Sequence, residues 1–214
     1  GEGALAPYNW RFWWDYGTGE TGNWGCHILD IPFWALDLKY PTRVAASGPK
    51  IDAERTPTEM RTSFNFPAND KRGPVKLHWS QEKNGPTILK EKGLSLKGAN
   101  TLFVGSKGML LTGFGSLKLF PEKSFDGFKA PEPFIPDSPG FYKEWTDACK
   151  GGSPATCNFD YSGPLSETVL LGNTAYRAGG GFDWDADTLT ATGNESAKPF
   201  LQSEFRKGWE EFTS

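Results

Sequence analysis

The sequence of 214 residues predicts an α+β fold, an open, predominantly antiparallel mixed β-sheet with helices packed on one face. Apolar and polar residues alternate in the middle of the chain, which is the periodicity of half-buried strands. Helical patterns with capping signals lie before and after these strands. Because the sequence has no internal repeat and no clear linker, it predicts one domain over residues 1–214.

The first helix is predicted over residues 22–38, with Thr21 as its N-cap. We expect Pro32 to kink this helix or to end it at Ile31, because proline lacks a backbone N–H and restricts the residue before it. A turn-rich connection through residues 47–49 follows.

Two antiparallel hairpins are predicted next. Residues 60–66 and 75–79 alternate between apolar and polar side chains, so each predicts a strand with one buried face. The polar turn over residues 69–74 joins these strands into a hairpin. A second, tighter hairpin is predicted around residues 105–108, between two short apolar runs.

A proline-rich arm and a helix are predicted after the hairpins. The prolines over residues 121–139 indicate an extended surface arm. From about Ser138, a helix should place Phe141, Trp145 and Ala148 on one face.

The clearest helix is predicted over residues 164–178, between a proline in its first turn and a run of three glycines. Its apolar stripe consists of Leu165, Val169, Gly172 and Tyr176. Short strands near Trp184 and Leu189 follow, and an amphipathic segment over residues 199–212 ends the chain.

Charge and composition disfavour several classes of partner. The net charge is −3 and the isoelectric point is near 5.5, so nothing points to nucleic acid or an anionic membrane surface. No apolar run approaches the roughly 18 residues of a spanning helix. Since the sequence starts with Gly1 instead of Met, we expect it to be cut or processed at this end, and localisation stays open between cytoplasm and periplasm.

The three cysteines leave two interpretations open. Cys149 and Cys157 either form a disulfide or remain free thiols, and the spacing predicts no metal site. Cys26 lies beside His27, but neighbours on a helix point about 100° apart, which disfavours a thiol nucleophile.

The segment over residues 9–30 is the candidate site. It contains four of the nine tryptophans and one of the two histidines. Aromatic residues and glycines at this density are typical of a loop around a flat polar ligand, such as a sugar ring or a nicotinamide. We expect the glycines at positions 17, 19, 22 and 25 to let a ligand approach the backbone closely.

Asn23, His27, Asp30 and Trp34 recur at helical spacing and should form one stripe. An imidazole can take up or release a proton near neutral pH. Asp30 could orient the imidazole, and Asn23 could hydrogen-bond a substrate hydroxyl. The competing interpretation is that His27 and the Trp13-Trp14 pair are structural. The other histidine, His78, is predicted on the polar face of a strand, facing solvent.

No Walker motif, no G-x-G-x-x-G after a strand, no G-x-S-x-G and no H-E-x-x-H is present in the sequence. The chain therefore has no nucleotide-binding fingerprint of its own.

Two blocks, WRFWWDYGTG over residues 10–19 and GNWGCHILD over residues 22–30, resemble the substrate-domain signature of the Gfo/Idh/MocA oxidoreductases. This is the family of glucose–fructose oxidoreductase and inositol dehydrogenase, and the resemblance is to its bacterial members. It continues at residues 75–79, 103–108, 158–173 and 206–209.

The resemblance implies a fold like the C-terminal domain of glyceraldehyde-3-phosphate dehydrogenase. It also implies an N-terminal Rossmann domain that binds NAD or NADP and lies outside this chain, a sugar or polyol substrate, and a homo-oligomer through the open sheet face. The family's catalytic lysine, in a Glu-Lys-Pro motif of the Rossmann domain, has no counterpart here.

The resemblance also implies roles for individual residues. His27 matches the histidine of the family's Asp-x-x-x-His pair, which helps to move the hydroxyl proton, and Asn23 stands at the aspartate position. Substrate contacts are implied for Trp13, Trp14, Tyr16 and Asp30, and a cofactor contact for Arg11.

Two other functions remain open. One is a relative that cleaves glycosides through a transient 3-keto sugar. The other is a non-catalytic sugar-binding or oligomerisation domain, for which the uncharged Asn23 is mild support.

Overall fold

The computed structural model describes residues 5–83, 85–95, 98–202 and 205–209. The chain divides into two compact units. Unit 1 consists of Gly1–Pro86 and Leu165–Ser214, and unit 2 consists of Thr87–Pro164. The predicted α+β class is confirmed, with antiparallel open sheets of five and three strands.

In chain order the strands are β1 (Arg43–Ser47), β2 (Arg61–Phe66), β3 (Val75–Ser80), β4 (Thr101–Gly105), β5 (Gly108–Thr112), β6 (Leu117–Phe120), β7 (Phe182–Asp185) and β8 (Thr190–Thr192). The α-helices are α1 (Gly19–Leu36), α2 (Thr87–Glu91), α3 (Phe141–Cys149) and α4 (Phe159–Arg177). Short 3-10 helices span Asn9–Phe12, Glu122–Phe125 and Glu195–Phe200.

The sheet of unit 1 has the strand order β3-β2-β1-β7-β8. Side chains alternate across it, so one face carries the core. The most buried strand residues on that face, each at most 2% exposed, are Val44, Thr62, Phe64, Phe66, Phe182 and Ala191. The hairpin predicted between residues 60 and 79 is confirmed, because β2 pairs with β3 from Arg61↔Ser80 to Phe66↔Val75.

Helices α1 and α4 pack on the core face of the five-stranded sheet. The ring of Phe33 on α1 meets the ring of Phe66 edge-on, with 5.6 Å between centroids. On α4, Gly172 lies so close to Thr62 and Phe64 that a Cβ there would come within 3.1 Å and 3.3 Å of their side chains. The stripe predicted on α4 is therefore the surface that contacts the sheet.

The other face of this sheet is polar. One cross-strand row runs over all five strands and consists of Lys76, Asn65, Arg43, Asp183 and Thr192. Within it, Arg43 and Asp183 form a salt bridge of 2.7 Å with both side chains more than half exposed. An antiparallel sheet with one solvated face commonly has such a surface.

Unit 2 contains the sheet β4-β5-β6. The tight hairpin predicted around residues 105–108 is confirmed by the β4–β5 pairing, from Thr101↔Thr112 to Gly105↔Gly108. Few side chains of this unit are buried. Leu89 and Leu111 are its buried hydrophobic residues among those described, and α3 has none.

Helix α1 differs from its prediction at its start and at Pro32. It begins at Gly19, with Thr18 at the N-cap position. Thr21 lies inside the helix instead, where its hydroxyl donates to Gln81 (2.8 Å) and accepts from the indole N–H of Trp79 (3.1 Å). The helix continues past the buried Pro32 to Leu36, because tertiary packing holds the last turn in place.

Strand β1 was not predicted. The region was expected to be a turn-rich connection, yet it forms the central strand of the five-stranded sheet. Strand β6 was also missed. The prediction of a partly mixed sheet was wrong as well, since every strand pairing among the described residues is antiparallel.

Two later helices start away from their predicted positions. Helix α3 begins at Phe141, after Gly140 at φ 98°, and not at Ser138. Helix α4 begins one turn and a half earlier than predicted, at Phe159, because the Asn158 side chain accepts from the N–H groups of Asp160 (2.9 Å) and Tyr161 (3.3 Å).

The remaining predictions concern the strands and segment near the C-terminus and the cysteines. The strands predicted near Trp184 and Leu189 correspond to β7 and β8. Phe212, predicted in the last amphipathic segment, lies outside the described residues. Of the two interpretations of Cys149 and Cys157, the structure has the free thiols.

Across the described residues, none of the helices combines the length and the apolar character that crossing a membrane requires.

Candidate functional site

The aromatic segment that precedes α1 is held against residues 52–56 by backbone hydrogen bonds. The N–H of Trp14 donates to the carbonyl of Glu54 (2.9 Å), and the N–H of Thr56 donates to the carbonyl of Phe12 (3.0 Å). Between them, Trp13 and Arg55 form an isolated antiparallel bridge. This short pairing fixes which way the two tryptophans of the segment point.

Trp13 lines a pocket of about 390 Å³. The lining residues are Asn9, Phe12, Trp13, Arg55, Thr56 and Thr58. The guanidinium of Arg55 lies over the Trp13 ring, 4.6 Å from its centroid. The pocket therefore presents mainly apolar surface, with the Arg55 cation beside it.

Trp14 follows the bridge residue Trp13 and begins a turn. Its indole N–H donates to the carbonyl of Asp52 (3.2 Å), and the guanidinium of Arg177 lies 4.9 Å from its ring centroid. Arg177 also lies over the ring of Phe200, at 4.3 Å. Burial lowers the pKa of Arg177, while the charge of Asp15 opposes that shift. The Trp14 ring is thus occupied by protein contacts.

Tyr16 and Asp30 complete the predicted substrate contacts. Tyr16 is 59% exposed, and its N–H donates to the carbonyl of Trp13 (3.0 Å). Asp30 is half-buried on α1.

Arg11 and Asn23 are brought together by the fold. The guanidinium of Arg11 donates to the side-chain oxygen of Asn23 (2.9 Å) and to the carbonyl of Tyr8 (3.1 Å), and it lies 3.9 Å from the Tyr8 ring centroid. The amide nitrogen of Asn23 donates to Glu20 at 3.5 Å. Asn23 therefore bridges the Arg11 cation and the Glu20 carboxylate. A neutral amide can do this because its oxygen accepts a hydrogen bond and its nitrogen donates one.

His27 lies one turn beyond Asn23 on α1, about 6 Å along the helix axis by the rise of 1.5 Å per residue. It is exposed, and its ring meets the Trp24 ring edge-on at 5.8 Å between centroids. The buried residues of α1 lie on the opposite side of the helix and are Gly19, Thr21, Gly25, Leu29, Pro32 and Phe33. The predicted stripe of Asn23, His27, Asp30 and Trp34 is thus the accessible side of α1.

The four glycines expected to admit a ligand are packed against the protein itself. A Cβ at Gly17 would come within 2.6 Å of the Arg11 backbone. At Gly19, with φ +66°, it would come within 2.7 Å of the Thr56 hydroxyl. Gly22 and Gly25 face Thr18 and Val169 in the same way. The expectation was wrong because the space beside each glycine is filled by another part of unit 1.

The second histidine has a different setting. His78 is exposed on β3, on the polar face of the sheet, as predicted. Partial desolvation of the imidazole, and then the charge of Lys76, lower its pKa. Its cross-strand neighbour is Ser63.

Arg55 and Arg177 were missed by the sequence analysis. The sequence did contain a signal for Arg55, which is the aspartate three residues before it, Asp52. An aspartate at the start of a turn accepts hydrogen bonds from the residues that follow and so orients them. The carboxylate of Asp52 accepts from the N–H groups of Glu54 (2.8 Å) and Arg55 (3.0 Å), and these bonds lower the Asp52 pKa. No local pattern marks Arg177, whose ring partners lie in distant parts of the sequence.

The arrangement does not suit every ligand class. Within the described ranges, no group of three or more His, Cys, Asp or Glu side chains could hold a metal ion. A dinucleotide crevice is built at the ends of parallel strands, whereas all the pairings described for this chain are antiparallel. The described strands therefore do not build that type of crevice.

Comparison with known proteins leaves the family open. No protein-family model matches the chain, and no curated protein is similar to it in sequence.

Proposed function

We propose that this chain is the sugar- or polyol-binding domain of an NAD(P)-dependent oxidoreductase of the Gfo/Idh/MocA type, with a fold like the C-terminal domain of glyceraldehyde-3-phosphate dehydrogenase. The observation that carries the proposal is the accessible side of α1. There Asn23 is held by Arg11 at 2.9 Å and His27 follows one turn later, exposed. Phe12, the residue after Arg11, lines the pocket of Trp13.

The size of the pocket supports a small ligand such as one monosaccharide. Its volume of about 390 Å³ lies in the range of small-molecule sites, which is roughly 300–1,000 Å³. The lining of the pocket supports this ligand class, because Phe12 and Trp13 give it apolar surface for the C–H groups of a sugar ring, and Thr58 and Arg55, whose guanidinium lies over the Trp13 ring, are polar lining residues for its hydroxyl groups.

In the proposed enzyme, NAD or NADP is bound by a separate nucleotide-binding domain, and the antiparallel pairing of all the described strands supports this division. This chain binds and orients the substrate. Its His27 imidazole takes the proton of the substrate hydroxyl that is oxidised. Arg11 acts through Asn23, whose amide it fixes beside the substrate.

A non-catalytic sugar-binding domain is the second candidate. The hydrogen bonds of Asn23 favour it, since both ends of the amide are engaged, by Arg11 and by Glu20. The family aspartate would titrate at this position, whereas asparagine does not.

The two histidines provide a matched test of sugar binding. NMR spectra of the imidazole groups should show two sets of signals, which His27→Gln and His78→Gln assign. We expect glucose or inositol to shift the His27 signals and to leave those of His78 unchanged. Titration that shifts only His78, or neither histidine, would contradict the proposal.

Catalysis is tested separately in the protein that joins this chain to its nucleotide-binding domain. Sugar-dependent formation of reduced nicotinamide should fall roughly 100- to 10,000-fold in His27→Gln, as expected for loss of a general base. His78→Gln should retain the wild-type rate. Sugar binding at His27 without any reduced nicotinamide would support the binding domain, and a free aglycone released from a glycoside would support the glycoside-cleaving relative.

A further inference from the structure

Unit 2 exposes several large aromatic side chains. We define its aromatic surface by Phe134 (83% exposed), Phe141 (72%), Tyr142 (77%), Trp145 (65%) and Phe159 (91%). Phe141 and Tyr142 contact each other, with 4.2 Å between ring centroids. Trp145 follows Phe141 by one turn of α3.

Glu144 joins the three segments that carry these rings. Its carboxylate accepts from the Ser138 hydroxyl (3.1 Å), at the end of the proline-rich arm. It also accepts from the backbone N–H and the hydroxyl of Thr156, three residues before Phe159. These bonds to Thr156 are the main cause that lowers the pKa of Glu144. The end of the arm, α3 and the turn before α4 therefore meet at Glu144.

The five side chains together expose about as much area as one partner contributes to a protein interface. An aromatic side chain has roughly 150–250 Å² to bury, so five of them at these exposures leave roughly 800 Å² open. The largest apolar patch on a typical monomer is roughly 300–600 Å². About 800 Å² per partner is the size of a standard stable interface.

The charge of unit 2 indicates which partner covers this surface. Between Thr87 and Pro164 the sequence has nine lysines, no arginine and eight acidic residues, which leaves a net charge of +1. Both signs lie on α3 itself, where Lys143 and Asp147 form an ion pair. Two copies of a surface with this charge balance can bind each other without like-charge repulsion. A strongly charged partner would have no surface of opposite charge to bind here.

We propose that a second copy of this chain covers the aromatic surface, forming a homodimer in which α3 faces α3 of the other copy. The polar face of the five-stranded sheet is a poorer surface for this purpose. Its central row contains Ser63, Ala45 and His78, and charged residues flank that row. The core of an obligate interface is apolar and depleted of charge.

Sedimentation equilibrium over a concentration series tests the proposal on the whole chain. The wild type should reach twice the chain mass of 23.6 kDa. Trp145→Ala should raise the dimer dissociation constant roughly 30-fold or more, as loss of an interface hot spot does. Trp34→Ala removes a tryptophan of similar exposure (58%) from α1 and is the matched control, with no expected change.

A variant of the sheet face separates the two surfaces. Ser63→Lys should leave the dimer intact. A wild type that stays monomeric over the whole series would overturn the proposal, and so would a dimer that Ser63→Lys dissociates and Trp145→Ala does not. Far-ultraviolet circular dichroism establishes that each variant is folded. In the wild type, amide exchange in α3 should slow as concentration rises, and exchange in α3 independent of concentration would also overturn the proposal.

Discussion

Unit 1 and unit 2 differ in how their apolar residues are covered. Among the described residues, twenty hydrophobic side chains are buried, and eighteen of them belong to unit 1. Unit 2 spans Thr87–Pro164, yet it buries only Leu89 and Leu111 of that set. Unit 1 thus has a core of its own, whereas the large apolar residues described in unit 2 are, apart from Leu89 and Leu111, half-buried or exposed.

The helices α3 and α4 show the same contrast in detail. Both were predicted to carry an apolar stripe. On α4, Leu165, Val169 and Tyr176 are at most 5% exposed, because the sheet lies against them. On α3, Phe141 and Trp145 are 72% and 65% exposed. Periodicity therefore identifies which residues share a face, but not what covers that face.

The largest expected effect comes from the same substitution in the two units. Phe64→Ala should lower the free energy of unfolding by about 3–5 kcal/mol, since the side chain is 1% exposed in the core of unit 1. Phe141→Ala should change it by less than about 0.5 kcal/mol in the monomer, because the ring is 72% exposed. Urea unfolding followed by circular dichroism, at a concentration where the chain is monomeric, measures both.

An equal loss for the two variants would contradict the contrast between the units. It would mean that Phe141 is packed in solution even without a partner.

The second comparison concerns glycines. Gly17→Ala should destabilise unit 1 by about 1–3 kcal/mol, because the new Cβ would lie 2.6 Å from the backbone of Arg11, which cannot rotate away. Gly115→Ala in unit 2 meets no atom within 4 Å and is the matched control. Its effect should stay within about 0.5 kcal/mol. Thermal unfolding compares the two variants, and a Gly17→Ala protein as stable as the control would show that this contact relaxes.

Local patterns were sufficient for much of the fold. Strands β2 and β3 were predicted because each buries every second residue. Strand β1 was missed, although Val44 is fully buried. Its five residues contain one large apolar side chain, and it becomes a strand only through pairing with β2 and with the distant β7. Such long-range pairing leaves no periodic trace in the sequence.

The candidate site was predictable along α1 and not beyond it. Helical spacing alone placed Asn23 and His27 on one side of α1. The hydrogen bond between Arg11 and Asn23 depends on how the preceding segment turns back on the helix. Arg55 enters the pocket of Trp13 through a pairing between segments about forty residues apart. These contacts follow from the tertiary fold, so no motif could show them.

A cation lies over aromatic rings in both units, which gives a third comparison. In unit 1, Arg177 lies over two rings, those of Trp14 at 4.9 Å and Phe200 at 4.3 Å. Arg177→Gln should lower the free energy of unfolding by about 1–2 kcal/mol, because it removes two cation–π contacts of roughly 0.5–1 kcal/mol each. In unit 2, Lys118 lies 5.7 Å from one ring centroid, so Lys118→Gln should cost less than about 0.5 kcal/mol. Urea unfolding that shows equal losses would remove the role assigned to Arg177.

The smallest expected effect is a pH dependence of opposite sign in the two units. In unit 1, burial raises the pKa of Glu167 above its ordinary value of 4.5, and the hydrogen bond from the Trp184 indole (2.7 Å) partly offsets that shift. In unit 2, the hydrogen bonds from Thr156 lower the pKa of Glu144 below the same value. The folded state therefore favours the protonated form of Glu167 and the ionised form of Glu144.

Linkage fixes the sign of each contribution to stability. The contribution of Glu167 to the free energy of unfolding is present below pH 4.5 and is lost as the pH rises through its raised folded pKa. The stability of Glu167→Gln relative to the wild type should therefore increase as the pH rises. The contribution of Glu144 is present above pH 4.5 and is lost as the pH falls through its lowered folded pKa. Glu144→Gln should therefore be less stable than the wild type at neutral pH and approach it in acid. Unfolding curves for both variants between acid and neutral pH test this, and amide exchange in α3 reports Glu144 locally. If the stabilities of both variants relative to the wild type changed in the same direction with pH, the two carboxyl groups would have similar environments. The pH dependence would then contradict the contrast between the buried side chains of unit 1 and the exposed side chains of unit 2.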